Sequence, residues 1–245
     1  MRALSPPPTG PWRVLVPALA GAWTLASLAE GKDPLQMGLV IAFLILSLAL
    51  HEVAHGWVAL LRGDPTARDL GRLSLNPIVH IDPIWTIAVP LFTYWTSGFI
   101  FGGARPVPVD YYRLRHPLRD MALVAAAGPL TNLLLAVAFL LCLKVSVYLL
   151  GYEPEALLPR VMWDSMFFNV LLFVFNLIPI PPLDGSRILA WVLPSGLRPA
   201  YVRLERVGMI AIVILLFYAP GFRAILWSGI DSTVELLDLI TVKRW

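Results

Sequence analysis

Apolar residues fall into long blocks at positions 14–29, 36–61, 121–150, 161–178, 207–219 and 222–240, separated by short breaks rich in arginine or proline. A helix of about 20 apolar residues crosses the hydrocarbon of a bilayer. The blocks therefore predict about six transmembrane helices. Block 14–29 follows a Pro-rich, Arg-bearing start; it is expected to be an uncleaved first span, with a signal peptide ending near Ser27 and Ala29 as the competing assignment. In block 222–240 the acids Asp231, Glu235 and Asp238 share one helical face, which suits a tilted last span or an amphipathic helix at the interface. Region 77–109 has a different pattern. It is apolar but rich in β-branched residues, and Gly98, Gly102, Gly103, Pro106 and Pro108 interrupt its second half. That favours a re-entrant loop or β-hairpin over a spanning helix. Such backbone survives at membrane depth only where protein buries it or it lines a wet cavity. The expected fold class is an all-α membrane protein, a polytopic helical bundle with one re-entrant or hairpin element between the second and third spans.

Composition narrows the class further. The chain is 58% hydrophobic and 14% charged, with a mean hydropathy of +0.74, whereas soluble domains carry about 25% charged residues. It is expected to form one integral-membrane domain over residues 1–245, with no room for a large soluble domain. A single cysteine, Cys142, excludes an intramolecular disulfide. The net charge of +3 matters less than its placement. Arginines gather at the start (Arg2, Arg13), after the second block (Arg62, Arg68, Arg72), in loop 105–119 and in loop 187–206. By the positive-inside rule these regions face the cytoplasm, and the N-terminus with them. The arginines are topology signals, so no nucleic-acid partner is expected; the lipid bilayer is.

Within the second block stands His51-Glu52-Val53-Ala54-His55. Histidines four apart project from one helical face and can share a tetrahedral metal such as zinc, while the adjacent Glu52 can activate water as a general base. Such groups are costly in an apolar helix unless they bind something. Catalytic zinc takes three protein ligands and leaves one position open. Candidates for the third are His80, Asp82, His116 and Asp184. Asp184 stands out, because Pro179, Pro181 and Pro182 break the helix before it and Gly185 permits an unusual backbone angle.

Three ordered motifs then carry a resemblance: His51-Glu52-Val-Ala-His55, Gly128-Pro-Leu-Thr-Asn132 and Asn176-Leu-Ile-Pro179-Ile-Pro181-Pro182-Leu-Asp184-Gly185. The chain resembles the site-2 protease family of intramembrane zinc metalloproteases, in its compact branch without a PDZ or nucleotide-sensing domain. Segments 71–83 and 104–109 also look like that branch. The resemblance implies one zinc per chain held by His51, His55 and Asp184, with Glu52 as base. It places Asn132 near the metal, to stabilise an oxyanion or position substrate, and gives residues 98–109 the role of a strand edge for an extended peptide. A catalytic core over about 36–190 and C-terminal helices over 201–245 follow from it. It also implies a bacterial or archaeal cell membrane, an active site toward the cytoplasm and single-span membrane proteins as substrates. The competing functions are a membrane-anchored protease for soluble or unfolded proteins, and a non-proteolytic metal-binding scaffold. Two positions depart from the family pattern: Trp85 and Ser186 stand where glycine is usual. His80 is expected to be a hydrogen-bonded structural residue, His116 solvated, and Asn176 a brace for the broken helix.

Overall fold

The computed structural model describes residues 33–80 and 105–241, and every regular element among them is helical. The expected first span therefore lies outside the described residues, as does residue stretch 81–104, most of the expected re-entrant element.

Helix α1, Pro34–Leu61, begins where the Asp33 side chain accepts from Leu35 N–H and Pro34 fills the first turn. Its 28 residues reach about 42 Å, more than a hydrocarbon core of about 30 Å. A short helix α2, Thr66–Asp69, and a 3₁₀ turn, Pro77–His80, follow. Helix α3, Pro117–Lys144, carries Pro129 in its interior and continues as a π-helical turn, Val145–Leu149. Helix α4, Leu157–Asn176, ends at the proline-rich loop. Then come α5 (Asp184–Val192), α6 (Arg198–Arg203), α7 (Glu205–Tyr218) and α8 (Pro220–Thr241).

Three helices, α1, α3 with its π turn, and α4, are each long and apolar enough to cross a membrane. Their outward positions agree: Leu39, Ile41, Ile45 and Leu46 on α1 and Leu134 and Leu141 on α3 are exposed, a surface that suits lipid and not water. The C-terminal blocks depart from a simple pair of spans. Helix α7 has 14 residues, about 21 Å, too short to cross alone. It meets α8 at 91°, so the pair forms one broken span or a re-entrant element.

Helix α3 is the hub, packing on α1, α4 and α5. Its inward face is built from small residues, Ala122, Ala125, Gly128, Asn132 and Ala136, all buried. Lipid gives helices no hydrophobic reason to associate, so close backbone approach along such a face supplies the packing energy. Farther along, Ala136 and Leu140 join Met166 and Val170 of α4 and Leu226, Ile230 and Leu237 of α8 in the largest cluster. Lys144 on α3 pairs with Asp238 on α8 at 2.8 Å. Met166 is fully enclosed in that cluster. Met166→Ala leaves a void that costs about 2 kcal/mol or more and lowers the unfolding midpoint of the detergent-solubilised protein; an unchanged midpoint contradicts tight packing there.

Candidate metal centre

The HExxH turn sits toward the C-terminal end of α1, with His51 about 15 Å and His55 about 9 Å from that end. His51 and His55 are both buried, and their imidazoles project side by side toward α3. Asp184 arrives from elsewhere, as the first residue of α5. A helix N-terminus favours a carboxylate there. The loop before α5 folds back on the end of α4, so closely that a Cβ on Gly185 would collide with the Leu177 and Ile178 carbonyls. Gly185 is thus needed for what it lacks. The expected unusual backbone angle is not found, since its φ is not positive.

The three ligand atoms form a small triangle. His51 Nε2 and His55 Nε2 lie 3.0 Å apart, and Asp184 Oδ2 lies 3.3 Å and 3.4 Å from them. A tetrahedral zinc with bonds of about 2.0–2.1 Å has ligand–ligand edges of about 3.3–3.4 Å. Among the described residues this is the one cluster of histidine, cysteine or acidic groups able to hold a metal. The other face of each ring strengthens the fit. His51 Nδ1 lies 2.6 Å from Asn132 Oδ1, and His55 Nδ1 lies 2.7 Å from the Val124 carbonyl. Both partners accept, so both Nδ1 atoms carry the proton and both Nε2 atoms present lone pairs. Two lone pairs at 3.0 Å repel unless a cation lies between them. Asp184 Oδ2 is buried without a hydrogen-bond partner, which a cation also answers.

Glu52, one residue on from His51, is half-buried. Its Oε2 accepts from Val107 N–H at 2.7 Å. Residues 105–110 form no regular element and pass beside α1, held by Arg72, whose guanidinium donates to the Arg105 carbonyl at 2.8 Å. Burial, then the neighbouring Arg105 cation, lowers the Arg72 pKa from its ordinary value, and the Glu52 carboxylate opposes that shift. In this stretch Arg105 N–H bonds the His80 carbonyl and Val107 N–H bonds Glu52, while Pro106 and Pro108 have none to offer. Of the strand edge expected over 98–109, residues 98–104 lie outside the described residues, and in the rest the Arg105 and Val107 amides bond within the chain.

The remaining candidates separate clearly. Asn132 is fully buried beside the site, with Oδ1 on His51 and Nδ2 on Asn169, so it contacts a ligand. His80 is buried but binds the Ser74 carbonyl through Nε2 at 2.8 Å, away from the triangle. His116 is exposed at the start of α3. Asn176 bonds the Leu172 carbonyl within its own helix. Asp82 and Trp85 lie outside the described residues. Sequence reasoning passed over Asn169, Val107 and Arg72; an amide inside the apolar block 161–178 was the available signal for the first.

Two measurements test the centre. A Cβ on Gly128 would come within 2.5 Å of His51 Cε1 and of His55 Cε1 and Nε2. Gly128→Ala is therefore expected to lower metal affinity by about 10-fold or more, read by chelator competition; wild-type affinity contradicts the close approach. Protons compete with the metal for both Nε2 atoms, whereas a carboxylate ordinarily gains its proton only below about pH 5. Affinity should fall steadily as pH drops from about 8 to about 5, through the imidazoles and not the carboxylate. A flat profile over that range excludes histidine ligation.

Comparison with known proteins agrees with this geometry. The model for Peptidase family M50 matches residues 151–219. YwhC of Bacillus subtilis, provisionally named a zinc metalloprotease, is 38% identical over 214 residues, covering 83% of this chain and 93% of that protein. Rip2 of Mycolicibacterium smegmatis, named likewise, is 31% identical over 208 residues, covering 79% of this chain and 75% of its own. MJ0611 of Methanocaldococcus jannaschii is 34% identical over 113 residues, covering 41% and 54%. No solved structure gives a significant match. With membrane-length helices, a triangle of donors sized for zinc and relatives of this length and similarity, the chain belongs to the M50, or site-2 protease, family and is a membrane-embedded zinc metalloendopeptidase.

Proposed function

We propose that the enzyme cleaves other membrane proteins within or beside their transmembrane segments. The observation that carries this reading is the depth of the triangle. His51 and His55 lie on a lipid-length helix, about 15 Å and about 9 Å from its end, and both are buried, so a peptide bond must enter the bundle to reach them. His51, His55 and Asp184 are assigned as zinc ligands and Glu52 as the general base. Zinc, when bound, supplies a cation that acidifies water and polarises a carbonyl. Glu52 does the proton work: its carboxylate takes a proton from the attacking water and delivers it to the departing amine. The Val107 amide keeps one Glu52 oxygen in place and leaves the other to exchange the proton. Asn132 acts through His51, holding the ring that it contacts.

Arg62, Arg68 and Arg72, together with the arginines of 105–119, follow the HExxH end of α1. They support a site in the cytoplasmic half of a bacterial or archaeal cell membrane and an N-terminus inside, with up to five spans if block 14–29 joins the three long helices and the bent α7–α8 pair. The substrate class is a single-span membrane protein whose helix unwinds on entry, since a helical peptide hides the carbonyl that water must attack.

The reading predicts that protein reconstituted in liposomes cleaves single-span substrates in preference to a soluble unfolded protein. Glu52→Gln should reduce cleavage by about 10²-fold or more with zinc content unchanged. Full activity in that variant would falsify the base assignment, and preference for the soluble chain would favour a membrane-anchored general protease.

A further inference from the structure

Behind His51 a line of buried amides crosses three helices. Asn132 Oδ1 of α3 faces His51 Nδ1 at 2.6 Å. Asn132 Nδ2 donates to Asn169 Oδ1 of α4 at 3.1 Å. Asn169 Nδ2 donates in turn to the Ser165 carbonyl at 2.9 Å and to Ser47 Oγ of α1 at 3.0 Å. Asn132, Asn169 and Ser47 are each at most 1% exposed, so water cannot substitute for a missing partner.

An amide side chain has a donor end and an acceptor end, and which end points where decides what its neighbour must do. The Ser165 carbonyl can only accept, so Asn169 must turn its nitrogen there. That leaves Asn169 Oδ1 facing Asn132, which must answer with Nδ2. Asn132 Oδ1 then faces His51, whose Nδ1 must carry the proton and whose Nε2 is left as a lone pair. Reversal of Asn132 would make Nδ1 the acceptor and place the proton on Nε2, where it would occupy the metal's position. We propose that Asn169 is a positioning residue of the zinc site, setting the tautomer of His51 through Asn132, with the Ser165 carbonyl as anchor. Ser47 is a secondary acceptor. The network also ties the metal ligand to the seam of α1, α3 and α4, so loss of that seam loosens the ligand.

The inference rests on the assignment of His51, His55 and Asp184 as the zinc ligands. Full-length protein in detergent allows both to be tested, with zinc affinity read by chelator competition and the site's geometry by the absorption spectrum of bound cobalt. Asn169→Leu, similar in size but unable to accept, should weaken zinc by about 10–100-fold and shift the cobalt bands. Asn169→Asp in its protonated form donates O–H to the Ser165 carbonyl and turns its other oxygen to Asn132, so at a pH where it is protonated it should stay within a few fold of wild type. Ser47→Ala keeps the anchor and should also change little. Asn132→Asp offers His51 an acceptor that needs no orienting, so adding Asn169→Leu to it should cause no further loss. Equal losses from Asn169→Leu in both backgrounds, wild-type affinity in Asn169→Leu, or a loss in Asn169→Asp at that pH as large as that in Asn169→Leu each overturn the proposal. Wild-type protein that fails to bind zinc overturns the underlying assignment instead.

Discussion

Two imidazole lone pairs and a carboxylate oxygen, all within 3.4 Å of one another, repel unless a cation joins them. The rest of the structure is arranged around that constraint. Gly128 has no side chain because both imidazoles occupy the space one would fill. Val124, a turn earlier on the same helix, has its carbonyl turned to His55, while Asn132, a turn later, holds His51. One helix thus supplies the clearance and both supports, and α3 is the hub of the bundle for the same reason.

The carboxylate is held by a different principle. The histidines ride on a continuous helix, where spacing alone sets their relation. Asp184 depends on a loop with three prolines and therefore with few internal hydrogen bonds. Outside groups supply the order instead. Tyr201 Oη donates to the Pro179 carbonyl at 2.8 Å, and Arg187 on α5 pairs with Glu205 at 2.6 Å. Gly208 lets α7 press against the Pro181 carbonyl. The C-terminal helices therefore act on the metal site without contributing a ligand.

Much of this was legible in the sequence where chemistry and spacing coincide within one segment. His51, Glu52 and His55 share a helical turn, and the break before Asp184 is written in its prolines. The apolar blocks gave α1, α3 and α4 within a few residues. What escaped depends on partners far apart in the chain. Nothing local ties Asn169 to Ser47 across 122 positions, or the Val107 amide to Glu52 across 55. The C-terminal blocks left the span count open for a related reason: hydropathy reports that a segment avoids water, not that the chain turns by 91° between Tyr218 and Pro220. Gly185 was recognised as necessary for the wrong cause, because a close approach and a special angle both select glycine, and only the neighbouring Leu177 carbonyl distinguishes them.

A site assembled in this way links metal binding to the whole bundle. Its donors come from α1 and α5, its supports from α3 and α4, and the order of its ligand loop from α6 and α7. An apo-form would leave the lone pairs and the carboxylate facing one another, so separation of α1 from α5 relieves the repulsion. Binding of zinc and closure of the helices are thus one thermodynamic event, since a ligand that favours the assembled state stabilises it by mass action. The same coupling runs outward. Gly208, Tyr201 and Glu205 join α6 and α7 to the loop that carries Asp184, so the C-terminal helices and the ligand loop pack as one unit.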